Sequence, residues 1–114
     1  MIYQYYERMN TCTTKGAKAL RPDLLAGMAE ALQALAHADR LRILDVLDRK
    51  GSLPVHELVR VTALGQAVIS GHLARMRRAG LVRADRKSRE VWYAIANPHA
   101  VTILDCIRRK GTER

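Results

Sequence analysis

The side chains with the most chemistry to offer lie in one stretch of the chain, residues 66–90. Gln66 carries an amide that donates and accepts side by side, the pairing needed for a bidentate contact to adenine, and Arg75 carries the fork that fits guanine or a phosphate. Ser70 and His72 can bond to bases or phosphates, and Arg77 adds a further cation. Arg86, Lys87 and Arg89 then follow as a group suited to phosphates or to an adjacent minor groove. Seven Arg and Lys stand in this stretch against Asp85 and Glu90, a surplus of five within a formal net charge of +9 for the whole chain. Any one of these cations alone would be ordinary solvated surface. Their clustering points to a polyanionic partner, nucleic acid or an anionic membrane face.

Other chemistries find less support. No run approaches the roughly 20 apolar residues that span a bilayer, and the opening Met1-Ile2-Tyr3-Gln4-Tyr5-Tyr6-Glu7-Arg8 lacks the charged start and apolar stretch of a signal peptide. The expected location is the cytoplasm, with no membrane partner. There is no Gly-rich phosphate loop, no metalloprotease motif and no nucleophile–base pair, so neither catalysis nor a cofactor is expected. Two cysteines, Cys12 and Cys106, do not make a structural staple in a cytosolic chain.

The elements that must position these groups are legible from periodicity. Residues 1–21 are polar and aperiodic and read as a flexible N-terminal arm. From Pro22, Leu25, Met28, Leu32 and Leu35 recur at helical steps. After a short break at His37-Ala38-Asp39, Leu41, Leu44 and Leu47 give a second helix that Gly51 stops. Pro54 suits the first turn of a third helix carrying Val55, Leu58 and Val59. Residues 66–79 form a fourth helix, whose Ile69, Leu73 and Met76 share a core face. That arrangement turns Gln66, Ala67, Ser70, Gly71 and Ala74 outward, with His72 and Arg75 on the flank. Gly80 lies where a C-terminal cap belongs.

The period then changes. Residues 81–85 and 91–95 read as two strands around a charged loop at 86–90. Asn97-Pro98 is an N-cap followed by Pro at the first helical position, and the last helix carries Ala100, Ile103, Leu104 and Ile107 on one side. The expected fold is mainly α with a small β-hairpin, in the order α-α-α-α-β-β-α. That is a winged helix-turn-helix spanning residues 22–110, with 111–114 as a tail.

Residues 32–96 resemble the ArsR family of arsenic- and zinc-responsive repressors. Leu35-Ala36-His37-Ala38-Asp39-Arg40-Leu41-Arg42-Ile43-Leu44 is similar to the family's entry motif. Glu57-Leu58 with Gln66-Ala67-Val68-Ile69-Ser70-Gly71-His72-Leu73 resembles its helix-turn-helix. Arg78-Ala79-Gly80-Leu81-Val82 with Val91-Trp92-Tyr93 resembles the run into and out of its wing. Ala67 and Ala63 depart from the pattern, which commonly has a hydroxyl residue and a glycine there. The resemblance implies a repressor that binds double-stranded DNA at a palindromic operator as a homodimer joined through the first and last helices. Leu25, Met28, Leu104 and Ile107 are the expected interface residues, the alternative being that both apolar stripes serve only the monomer core. The rival reading is a winged helix without a specific operator, serving DNA architecture, RNA or protein.

The family's metal sites are not reproduced. In the third helix, Glu57-Leu58-Val59-Arg60-Val61 lacks both thiolates. On the last helix, Asn97, His99, Lys110 and Glu113 make a poor zinc shell. No metal is expected from either position. Cys106 lies where thiol-sensing members carry a reactive cysteine, while their second thiol commonly stands near Asp45. Cys106, with or without Cys12, is therefore a candidate sensor of thiol chemistry or a soft metalloid, or else a small packing residue.

Overall fold

The computed structural model describes residues 18–112 of the chain. The expected arm lies largely outside the described residues, and Cys12 with it. The elements follow in the order α1 (Pro22–Leu35), α2 (Ala38–Lys50), β1 (Leu53–Pro54), α3 (Val55–Thr62), α4 (Gln66–Arg78), β2 (Val82–Lys87), β3 (Glu90–Ile95) and α5 (Pro98–Thr112).

Helix α2 is the hub because it is apolar on more than one side. Ile43, Leu44, Val46 and Leu47 are all buried, and the helix packs against α1, α3, α4, α5 and β3. Leu58 of α3, Ile69, Leu73 and Met76 of α4, Leu81, Val82, Ala100 and Leu104 complete one core. With no Phe in the chain, branched aliphatics and one Met fill this space. The expected core face of α4 is the observed one, since all three of its predicted residues are fully buried.

Helix ends follow local chemistry. His37 caps α2 through its ring, with Nδ1 accepting from the Asp39 amide at 3.1 Å. Thr62 closes α3 by donating its hydroxyl to the Leu58 carbonyl at 2.6 Å, and the same oxygen accepts from Leu64 N–H. After α4, Gly80 takes φ 77°, Leu81 N–H reaches back to Met76 O and Gly80 N–H to Arg77 O. This is the paired bonding of a Schellman motif, and the two positions that flank it, Leu81 and Met76, are both fully buried. Asn97 caps α5 through Oδ1, which accepts from His99 N–H at 2.9 Å.

Three features differ from the sequence reading. Pro54 is the N-cap of α3, not part of its first turn, and with Leu53 it forms a short strand paired to Trp92 and Tyr93. The hairpin thus becomes a three-stranded sheet of order β1-β3-β2. Two residues of strand carry too little alternation to show a period. The charged loop expected at 86–90 contracts to a tight turn: β2 runs to Lys87, β3 begins at Glu90, and Ser88 and Arg89 have φ of 49° and 73°. Both central residues are left-handed, as a type I′ turn requires, although neither is the Gly or Asn that such a turn favours. Third, Leu104 is only 4% exposed and belongs to the core of a single protomer, so it has almost no surface to offer a partner. Leu25 and Ile107 are about half exposed (49% and 48%), and Met28 is partly so.

Candidate nucleic-acid interface

The helix-turn-helix is α3, the three residues Ala63-Leu64-Gly65, and α4. Ala63 holds the left-handed conformation (φ 60°, ψ 17°) that swings the chain from one helix to the next. Gly65 caps α4 by its backbone position alone, without a side-chain bond, and no acidic residue lies in the first turn. The amide end of α4 is therefore free of the carboxylates that would repel a phosphate.

On α4 the outward face is small and polar. Gln66, Ala67, Ser70, Gly71 and Ala74 are exposed, and a Cβ on Gly71 would point into open space, with no described atom beyond its own stretch of helix within 4 Å. Val68, 47% exposed, adds an apolar group that the sequence reading did not single out. Arg75 is half-buried on the flank, whereas Arg77 and Arg78 are exposed in the last turn, where they also complement the helix dipole. A groove lined by Ser70, Ala74, Arg77, Arg78 and Tyr93 joins this face to the sheet. Arg78 and Tyr93 were not among the predicted contacts. Tyr93 lies fifteen residues beyond the end of α4 in sequence, and only the sheet register brings it there.

The wing presents Arg86, Lys87 and Arg89, all exposed. Arg86 and Lys87 are neighbours on β2, so they point to opposite faces of the ribbon. Lys87 leans over the ring of Trp92, its Nζ 5.6 Å from the ring centre, a cation–π contact that fixes the long side chain. On the same side, Arg83 Nε pairs with Asp85 at 3.2 Å. Arg89 sits in the turn itself. The three predicted wing cations thus share one ribbon but are aimed in different directions.

His72 departs from the recognition face. Its side chain is 14% exposed and turns towards the start of α2, with its ring 4.6 Å from that of His37 and its Nε2 3.8 Å from Asp39 Oδ2. Arg40, which donates Nε–H to the Ala34 carbonyl at 2.6 Å, brings a second guanidinium nitrogen to 3.4 Å from His72 Nδ1. Burial, then the electrostatic influence of His37 and Arg40, holds the His72 imidazole below its ordinary 6.5 against the pull of Asp39. His72 therefore anchors α4 to α2 as a neutral ring. Periodicity could place it only on the flank.

Cys106 is exposed on α5. Asp45, at the place in α2 where a second thiol would stand, instead receives Arg108 at 2.7 Å.

A model of the family described as bacterial regulatory protein, arsR family, matches residues 37–84. The chain is 35% identical over 108 residues to the HTH-type transcriptional repressor SmtB of Mycobacterium tuberculosis, a match covering 94% of this chain and 78% of that protein. It belongs to the ArsR family. The HTH-type transcriptional regulator NmtR of the same organism is 40% identical over 80 residues, covering 70% of this chain and 66% of the relative, just under two thirds. Among solved structures, the transcriptional repressor PagR of Bacillus anthracis superposes with a TM-score of 0.72 at 30% identity, covering 76% of this chain and 99% of that one. The homodimeric winged helix-turn-helix DNA-binding domain of a possible ArsR-family regulator from Mycobacterium bovis gives 0.72 at 27% identity, covering 88% and 92%. Like its ArsR relatives, this chain is a DNA-binding transcriptional regulator and not an enzyme. No helix among the described residues is long and apolar enough to cross a membrane.

Proposed function

We propose that this ArsR-family protein is a cytoplasmic repressor that binds a palindromic operator as a homodimer, with α4 in the major groove and the β2–β3 wing on the flanking backbone. The observation that carries the reading is the outward face of α4. Gln66, Ala67, Ser70 and Gly71 form a narrow exposed surface that continues through the Arg77–Arg78–Tyr93 groove to the basic wing. A major groove about 12 Å wide admits one helix whose outer side chains reach base edges. Small residues at 67, 71 and 74 let that helix sit close to the bases.

Gln66 and Ser70 are assigned to bases, and Arg77, Arg86, Lys87 and Arg89 to the backbone. One such unit reads a half-site. Two related by a two-fold axis place their helices about 34 Å apart, one turn of DNA. The half-exposed Leu25 and Ile107 on α1 and α5 supply the apolar surface for that pairing.

The test compares operator with random duplex at several salt concentrations. Gln66→Ala should lose about 1–3 kcal/mol on the operator and little on random DNA. Arg86→Ala should weaken both and lower the salt slope by about one unit. Equal affinity of parent and Gln66→Ala for both duplexes would remove α4 as the reading helix. Salt-dependent binding without any sequence preference would support the architectural alternative.

A further inference from the structure

Among the described residues, one group of side chains could hold a metal ion: His37, Asp39 and His72, whose donor atoms all lie within 4.8 Å of one another. The set is hidden in the sequence because it joins two helices. His37 and Asp39 open α2, and His72 comes from the middle of α4, well separated along the chain. We propose that these three residues form a binding site for one divalent cation of the zinc, cobalt and nickel class, tying the start of α2 to the DNA-recognition helix.

The donor set selects the class of ion. Two imidazole nitrogens and one carboxylate suit zinc, cobalt or nickel, whereas magnesium and calcium ask for oxygen shells. The dimensions are close to those required. A tetrahedral ion with bonds of about 2.0–2.1 Å spaces its donors roughly 3.3–3.4 Å apart. His72 Nε2 and Asp39 Oδ2 are already 3.8 Å apart, and the two rings are tilted at 55° with centres 4.6 Å apart, so their edges can turn to a shared point. His72 is held by its packing, while His37 is exposed and can close the remaining gap. Three protein donors at a partly open surface leave a fourth position for water.

The hydrogen bonds now in place set the cost. The Asp39 amide donates to His37 Nδ1 and the Arg40 guanidinium faces His72 Nδ1, so each neutral ring keeps its proton on Nε2. Ligation through Nε2 moves that proton to the other nitrogen. It gives up the ring's cap on α2 and turns an N–H towards Arg40, whose Nε stays bound to the Ala34 carbonyl. Arg40 also brings a cation into direct contact with His72. The site is therefore of moderate affinity, set by these two competing donors.

The experiment titrates the metal-free full-length protein with cobalt(II), read by its visible d–d absorption, and with zinc, read by the thermal midpoint. His37→Asn keeps a side-chain acceptor for the α2 cap and removes one ligand; Asp39→Asn keeps the shape and removes the carboxylate. The parent should bind one equivalent and gain thermal stability with zinc. Each variant should fold as the parent does, by circular dichroism, yet bind at least about tenfold more weakly and lose the zinc-dependent gain. Cys12→Ser and Cys106→Ser should leave both signals in place. The proposal is overturned if the parent binds neither metal, if His37→Asn and Asp39→Asn bind as the parent does, or if a Cys→Ser change abolishes the signal instead.

Discussion

Ala63 occupies a position where its side chain works against the backbone. Its φ of 60° is imposed by the helix-turn-helix, since Thr62 pins the end of α3 and Gly65 must start α4. For a residue with a Cβ, that conformation costs about 1–2 kcal/mol, partly offset by the roughly 0.5–1 kcal/mol of chain entropy that glycine loses on folding. Ala63→Gly should therefore stabilise the protein by about 0.5–1 kcal/mol, raising the thermal midpoint by roughly 2–8 °C for a domain of this size. Its operator affinity should match the parent's, because the turn is relaxed and not redirected. A lower midpoint in calorimetry would show that residue 63 leaves the left-handed region in solution. Ala63 is exposed and stands in the turn, before α4 begins at Gln66, so stability is the property it controls.

At the scale of elements, α5 is fastened to α2 by charge as well as by Leu104. Arg108 bonds to Asp45 at 2.7 Å, to Asp48 at 2.8 Å and to Asp105 at 2.9 Å. Burial alone would push the Asp45 carboxyl up, but the Arg108 hydrogen bond and the charges of Arg49 and Arg108 outweigh it and hold it below its ordinary 3.8. A carboxyl depressed on folding contributes stability above its unfolded value and loses that contribution as pH falls through the folded one. Arg108→Met should thus lower the thermal midpoint at pH 7, and the gap to the parent should narrow progressively once the pH drops below about 4. A gap that stays constant down to pH 2 would mean that Arg108 stabilises the protein without drawing on the Asp45 carboxylate. This clamp was illegible in the sequence, where Arg108 belonged simply to the basic end of a helix. Periodicity exposes what repeats within one element, such as Ile69, Leu73 and Met76, and local chemistry exposes caps such as Asn97 and Gly80. Contacts that bridge elements leave no such trace: Arg108 with Asp45, Tyr93 beside Arg77, and His72 against His37 all depend on how the helices cross. The same reason hid β1, whose two residues pair with β3 only after the chain has turned back.

For the whole molecule, the decisive question is which apolar surface two protomers share. Sequence periodicity marked Leu104 and Ile107 together, yet folding divides them: Leu104 is spent on the protomer core and Ile107 remains 48% exposed. Leu104→Glu would bury an unpaired charge inside the monomer and unfold it, so it cannot report on assembly. Ile107→Glu, three residues along the same helix, tests the interface without entering the core. Removing about half of an isoleucine's burial costs on the order of 1 kcal/mol per copy, and a two-fold axis applies the loss twice. Two desolvated carboxylates add to it. The dimer dissociation constant should rise on the order of a hundredfold, the circular dichroism spectrum and thermal transition of the protomer persisting. Operator binding should weaken with it and become steeply dependent on protein concentration, since each recognition helix would then have to find its half-site alone. Sedimentation equilibrium is the direct check, with Leu25→Glu on α1 as its counterpart. If Ile107→Glu and Leu25→Glu both sediment as the parent does, the shared face is not built from α1 and α5, and the spacing of the two recognition helices must be set by another surface.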